Sequence, residues 1–445
     1  MIEHIHIQPR KIQTMHLKLT NSTGFHWTIP RYCPRAALGL FLLVVGHPLA
    51  AQEVLMPPVQ VPNTPPAVQE YQQQNPMMVF TPAGFISGRV QTPFQWGPLA
   101  LHPRASYQFL DGTGIGSTVS NHTSTVVQSI SPGFLLNIGN HWTIDYSPTW
   151  NFYSSQLFRD NLDQNVRLMG GTTYEDWTLG LSQSYVKSSD PEVETGTQTD
   201  EETYSTALNA SYRINTKLSL DMGVNQDFIF TTQFENSRQW STTDWLNYEF
   251  WPRLDSGLGA GFGYVNVDIG SDMTYERIEA RVRWRISDKV GLQVHGGAEI
   301  RQFLGGGASD LVNPIAGGSI QYQPFEFTQL SLNADRVVDV SVLATASAES
   351  QVTETTSVTA DLNQRLLGKL HLNLEGGYNT VNYVGSGGTA TGRTDDYYTF
   401  NARLSLQFLK RATASIFYQY SDNSSTLAGY TFTSNQTGIE LGYQF

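Results

Sequence analysis

From about Arg104 onward the chain alternates apolar and polar residues with a period of two. His141–Phe152 places Trp142, Ile144, Tyr146, Pro148, Trp150 and Phe152 on one side, and Thr143, Asp145, Ser147, Thr149 and Asn151 on the other. Leu218–Phe230 sets Leu218, Leu220, Met222, Val224 and Phe228 against Ser219, Asp221, Gly223, Asn225 and Asp227. Tyr398–Phe408 does the same with Tyr398, Phe400, Ala402, Leu404, Leu406 and Phe408 against Asn401, Arg403, Ser405 and Gln407. Successive side chains of an extended strand point to opposite faces, so each segment reads as a strand with one apolar and one polar side. Globular strands are most often about 5–6 residues long, whereas a tilted membrane-spanning strand needs about 9–11. These segments are of the longer kind. The pattern predicts the wall of a transmembrane antiparallel up-and-down β-barrel rather than a sandwich.

The links between the strands support the same architecture. Short polar links such as Asn137–Asn140, Trp251–Leu254 and Leu409–Arg411 alternate strictly with longer ones such as Asp111–Asn121, Ser188–Asp200 and Ser421–Ser434. Membrane barrels segregate short turns and longer loops to opposite ends. The alternation predicts an even strand number, 18, with 16 the next candidate. Trp142, Trp150, Trp177, Trp240, Trp251 and Trp284 fall near predicted strand ends, where amphipathic rings sit at membrane interfaces.

The segment Asn435–Phe445 reads N-Q-T-G-I-E-L-G-Y-Q-F. Thr437, Ile439, Leu441, Tyr443 and Phe445 share one face, and Gly438, Glu440, Gly442 and Gln444 the other. It resembles the C-terminal signal of Gram-negative outer-membrane barrels, which the barrel-assembly machinery reads. On that resemblance Ile439, Leu441, Tyr443 and Phe445 form the assembly signal.

At the other end, Ala36–Val45 is a short apolar run preceded by Arg31 and Arg35 and followed by Gly46-His47-Pro48-Leu49-Ala50-Ala51. A basic region, a short apolar core and small residues read as a secretory signal peptide, here residues 1–51, with Met15 or a later position as an alternative start. Residues 52–76 are rich in Pro and Gln and read as a flexible periplasmic linker. Residues 77–103 read as a lead-in segment and 104–445 as the barrel.

Composition fits this reading. Aromatic residues make up 12% of the 445-residue chain and charged residues only 15%, with 39 glycines, as expected of many strands joined by glycine-bearing turns. The mean hydropathy of -0.28 does not oppose a membrane location, because lipid-facing and lumen-facing residues average out. Removing residues 1–51 takes away five basic residues and one acidic one and moves the net charge from -12 to -16. That excludes nucleic acid as an expected partner. The single cysteine, Cys33, lies before the apolar run, so no disulfide framework is expected.

The sharpest candidate chemistry is Glu279, Arg281, Arg283 and Arg285, alternating with Ile278, Ala280, Val282, Trp284 and Ile286. Gln293, His295, Glu299 and Arg301 follow on the next polar face. An arginine on the lipid side costs roughly 2–4 kcal/mol at mid-depth, so these side chains are expected in the lumen. Asp221, Asp227, Asp335, Asp361, Glu375 and Glu440 are candidate acids facing the ladder across the pore, and Arg403 is a further lining candidate. Such charges either set ion selectivity or neutralise one another and stiffen the wall.

Other chemistry is not indicated. The acidic stretch Asp190–Glu202 matches no cation cage and reads as a solvated loop, so no metal is expected. Gly305–Gly307 and Gly385–Gly388 lack the lysine and strand–helix context of a phosphate loop. His102, His122, His141, His295 and His371 are scattered, and no G-x-S-x-G or H-E-x-x-H occurs. No catalytic residue, cofactor or enzymatic activity is expected.

From Arg104 to Phe445 the chain resembles the putative β-barrel porin family of Gram-negative bacteria. That resemblance implies an outer-membrane protein in contact with lipid and lipopolysaccharide, passing small polar or anionic solutes, with a homo-trimer as one possible assembly. The basic ladder also resembles the lumen of barrels that export an acidic polysaccharide. A closed structural or adhesive barrel is the third reading.

Overall fold

The structure, a computed structural model, describes residues 94–444 except 116, 119–121, 192, 195, 306–309, 342–351, 367, 385–389 and 410. The expected signal peptide, the linker, most of the lead-in and Phe445 lie outside the described residues. A short strand β1 (Phe94–Trp96) pairs with the start of β2 (Leu99–Thr113). From β2 to β19 (Phe432–Gln444) every strand pairs antiparallel with its chain neighbours. The last strand then returns to the first, in a ladder running from Asn435↔Thr113 to Gln444↔Arg104. The result is a closed antiparallel barrel of 18 strands, with β1 an extra rung beside β2. Closure satisfies the backbone groups that an open edge would leave bare in hydrocarbon.

The loop asymmetry is present in the fold. Connections at one end span two to four residues, as at 139–141, 252–253 and 408–411. Those at the other end span five to twelve, as at 189–200 and 341–351. Both termini of the barrel lie at the turn end.

The apolar face points outward. Leu258, Ile278, Val294, Ile416, Ile439 and Leu441 are exposed on the barrel exterior, while Asn151, Glu279, Arg281, Asn225 and Glu440 are buried within it. Outward rings form two levels. Near the turns, Trp177 packs on Tyr212 at 4.6 Å, and Trp251 and Trp284 are exposed. Near the loops, Trp240 packs on Phe228 at 5.1 Å and Tyr378 on Tyr398 at 4.9 Å. Trp240 and Trp251 sit on one strand, β9 (Ser237–Trp251). At about 3.3 Å per residue and the usual tilt, their separation projects to roughly 28 Å, close to the apolar height of such barrels.

The inner face of β10 (Leu254–Val267) explains how the lumen is packed. Gly257, Gly259, Gly261 and Gly263 point inward, alternating with outward Leu258, Ala260, Phe262 and Tyr264. This smooth track lets large neighbours lie flat. The ring of Trp245, an inward residue of β9, covers Gly259, and the ring of Tyr275 covers Gly263. A Cβ at Gly259 would meet Trp245 ring carbons at 2.8 Å, whereas one at Gly291 meets nothing within 4 Å. Gly259→Val should therefore lower the urea midpoint of the refolded barrel by an amount worth about 1–3 kcal/mol, with Gly291→Val near neutral. Equal midpoints for the two variants would show that the track is not a packing surface.

Candidate functional site

The lumenal wall carries a connected set of ion pairs. On β11 (Met273–Ser287), Arg281 runs over Gly257 and reaches two strands further along the wall. Its Nη2 donates to Asn247 Oδ1 at 2.6 Å and to Asp221 Oδ2 at 3.1 Å, and its guanidinium lies 4.1 Å from the Trp245 ring. Arg283 Nε donates to Asp255 Oδ1 at 2.6 Å. Glu299 accepts from Arg277 at 2.6 Å and from Arg301 at 2.9 Å. His295 stands between Glu279 at 3.2 Å and Asp335 at 3.3 Å. Further round, Arg403 pairs with Glu440 at 2.8 Å, and Arg104 bonds Asp145 and Ser147.

The predicted ladder is thus inward, except that Arg285 is exposed at the turn end. The arrangement of its partners corrects the sequence expectation of a field across the pore. Asp221 takes Arg281, Asp335 takes His295 and Glu440 takes Arg403, all along the wall and not across it. Neighbouring strands lie about 4.8 Å apart, within side-chain reach, while the far wall is not. Asp361 instead accepts from Ser331 at 3.0 Å and stands opposite Glu375 in the ladder.

Two features turn inward at the loop end, neither of them expected from the sequence. The first is the acidic stretch, which is not the solvated loop it was expected to be. Between β6 (Trp177–Ser188) and β7 (Glu201–Arg213) it forms a small hairpin closed by a Pro191↔Gln198 bridge. Ser189, Asp190 and Thr199 are buried. At its base, Tyr153 donates to Asp190 at 3.2 Å and the Ser189 amide donates to Asp163 at 3.0 Å. At its tip, Ser341 donates to Glu194 Oε1 at 2.5 Å, and Arg393 of β17 (Ala390–Gln407) donates to the Glu194 carbonyl at 3.0 Å. Ser117 donates to the Gly196 carbonyl at 2.8 Å. Gly196 has φ +66°, where a side chain would be strained. Strands β6 and β17 are eleven apart in chain order and seven apart around the closed ring, so this hairpin bridges the lumen.

Arg393 is the anchor. Its guanidinium lies 4.2 Å from the Tyr383 ring and 3.6 Å from the Tyr430 ring, and Nε bonds Asp395 at 3.1 Å.

The second feature is a lapped seam. The ladder between β13 (Leu311–Phe325) and β14 (Thr328–Val340) begins only at Ala316↔Arg336. Leu311–Ile315 and Val337–Val340 do not pair with each other, although each keeps its other neighbour through Arg301↔Leu311 and Val340↔Val352. The tip formed by β14 and β15 (Val352–Leu366) instead tucks inside the wall. Val338, Val340 and Val352 pack there on Val265, Met273, Tyr275 and Phe303, which point inward from β10, β11 and β12 (Val290–Phe303). Side chains replace the missing ladder bonds. Arg301 donates to the Val338 carbonyl at 3.1 Å and Arg336 to the Pro314 carbonyl at 3.3 Å. Proline supplies no amide and suits an unpaired strand edge, so Pro314 was the one sequence signal for this seam.

Fold and lumen define the class: a closed, antiparallel 18-strand barrel, apolar outside and polar within. Residues 293–445 match the family described as "Putative beta-barrel porin 2". No curated protein matches in sequence. Among solved structures, the chain is similar to OccAB3 of Acinetobacter baumannii, at 8% identity over 78% of this chain and 99% of that one, with a TM-score of 0.43. It is similar to OccK2 (OpdF) of Pseudomonas aeruginosa at 12% identity, over 78% of this chain and 97% of that one, TM-score 0.43. It is also similar to the FrpB iron transporter of Neisseria meningitidis at 11% identity, over 75% and 63% of the two chains, TM-score 0.40.

Proposed function

We propose that the chain is an outer-membrane porin that passes small polar solutes through an ion-paired lumen and is gated at its loop end. The observation that carries this reading is the sorting of residues across the wall, with Ile278, Val282 and Ile286 outside and Glu279, Arg281 and Glu299 inside. Charged side chains that line a lumen act on the water and solutes passing them. The turn end, with both barrel termini, faces the periplasm, and the longer loops face the exterior.

Because Arg281 and Arg283 are paired with Asp221 and Asp255, the lumen is locally balanced and not a bare positive track. The arginines set selectivity by masking those carboxylates. Changing Arg281, Arg283 and Arg285 together to Gln would unmask them. The expected result in planar bilayers is sustained conductance with a reversal potential shifted toward cations. An unshifted reversal potential would remove the ladder from selectivity while leaving the porin.

The hairpin across the lumen favours a second reading, a barrel held closed. A correctly folded, heat-modifiable protein that never conducts, latched or unlatched, would establish that reading instead.

A further inference from the structure

We propose that the lapped seam between β13 and β14 is a lateral portal through which a single-chain amphiphile moves between the lumen and the outer leaflet. The inference goes beyond the porin reading and rests only on the barrel's lying in a membrane.

Three observations meet at this place. The wall lacks its hydrogen-bonded ladder over Leu311–Ile315 and Val337–Val340, so that both strands of this pair run unpaired with each other at the loop half. Elsewhere a continuous ladder makes sideways passage cost many backbone hydrogen bonds at once, but here the two layers are held by side chains. Second, the space between the layers is apolar. Strand alternation puts Val338, Val340 and Val352 on the outward side of the tucked tip, and puts Val265, Met273, Tyr275 and Phe303 on the inward side of the wall. The two faces pack on each other and form a dry joint leading from the lumen to the lipid side. A polar lumen elsewhere lined by ion pairs has no need of such a joint, whereas an acyl chain would slide along it at little cost, since it exchanges one apolar contact for another.

Third, the outer rim of the joint is a polar catch. Arg336 holds the Pro314 carbonyl, Thr356 at 3.2 Å and Glu354 at 2.8 Å, and is itself only half-buried. Asn313, with its amide oriented by its surroundings, donates to Glu354 Oε1 at 2.9 Å. Between the layers the buried Arg301, which holds the Val338 carbonyl, has one guanidinium nitrogen, Nη1, without a hydrogen-bond partner among the described residues. The half-buried Arg336 guanidinium at the outer rim and the buried Arg301 Nη1 within the joint suit a ligand with one polar head and one chain.

The test locks the seam. Ile315 and Val337 flank the first missing rung, one step beyond Ala316↔Arg336, and the only native cysteine is Cys33. The double variant Ile315→Cys/Val337→Cys is joined by a short thiol cross-linker. Ser319→Cys/Asn333→Cys, on a formed rung of the same ladder, is the control. Cells of a host without its own fatty-acid uptake express each protein, and entry of a fluorescent long-chain fatty acid is followed. Bilayer conductance is measured on the same preparations. The expected result is that the wild type and the control take up the probe at least tenfold faster than the empty host. The locked seam variant falls to the host rate with conductance unchanged, and reversing the cross-link restores uptake. Wild-type uptake no faster than the host, or uptake unaffected by the lock, would overturn the portal. Absence of conductance in all preparations, and also after Arg393→Ala releases the hairpin, would instead overturn the porin reading, so the two failures are distinct.

Discussion

Arg393→Ala should unlatch the loop end and raise single-channel conductance at least twofold, without loss of the folded barrel. The side chain is almost fully buried, and its ion partner Asp395 is buried as well. Removing one member of a buried pair costs about 3–5 kcal/mol, because the other is left charged and unsolvated. The two cation–π contacts with Tyr383 and Tyr430 add about 0.5–2 kcal/mol each. The remaining tip contacts are Ser341 to the Glu194 carboxylate, a charge-assisted bond worth about 1.5–3 kcal/mol, and Ser117 and Thr118 to the Gly196 carbonyl, worth about 0.5–1.5 kcal/mol each. Of the Arg393 contacts only the bond to the Glu194 carbonyl reaches the hairpin. The pair with Asp395 and the two rings fix the guanidinium that makes it, so losing Arg393 frees the tip and leaves the 18-strand ladder intact. Arg393→Ala/Asp395→Ala separates the two consequences. It removes the stranded carboxylate and should recover stability while still conducting like the single variant, since the bond to the Glu194 carbonyl is absent from both. If both variants kept wild-type conductance, Arg393 would be a structural residue of the rim and no latch.

The fold was legible because its information is local. Alternation in Leu218–Phe230 or Tyr398–Phe408 specifies strand and face together, and the segregation of link lengths gives 18 strands without knowledge of any contact. The lumenal address of Arg281 followed from the cost of the alternative. Its partners did not follow, because whether Arg281 reaches Asp221 depends on the glycines of β10 lying between them. The spacing Gly257, Gly259, Gly261, Gly263 was visible in the sequence as an inward face with no side chains. Its meaning as a bed for Trp245 and Tyr275 needed the register of β9, β10 and β11. The latch was least legible. Glu194 and Arg393 are far apart in sequence, and an acidic run with Pro and Gly has the composition of a solvated loop. Tertiary contacts at Ser117, Ser341 and Arg393 overrode that local character. The seam lies between these extremes: Pro314 suits an unpaired edge but does not tell which neighbour is missing.

The latch should also respond to pH, opening on the alkaline side. In the docked hairpin, burial first, and the charge of Asp163 second, hold the Asp190 carboxyl above the usual carboxylate range. The groups facing it are Tyr153 from β4 (Trp142–Tyr153), Asn161 and Asp163 from β5 (Asn161–Tyr174) and Ser188 from β6. The nearby cations are engaged elsewhere, Arg159 with Asp200 and Lys187 with Glu202. A released hairpin would expose Asp190 to water and return it to its ordinary titration. Docking therefore takes up a proton wherever pH lies between the ordinary and the raised value. Its stabilisation is complete below the ordinary pKa and is lost as pH rises through the raised one. Conductance scanned from about pH 5 to 9 should increase along the alkaline limb. Asp190→Asn keeps the shape and removes the charge, so it should stay latched at every pH, with a flat profile. The same variant discriminates between causes, because titration of the lumenal pairs would leave its profile as steep as the wild type's. A steep profile in Asp190→Asn would place the pH response in the pore wall, and a flat one would place it at the base of the hairpin.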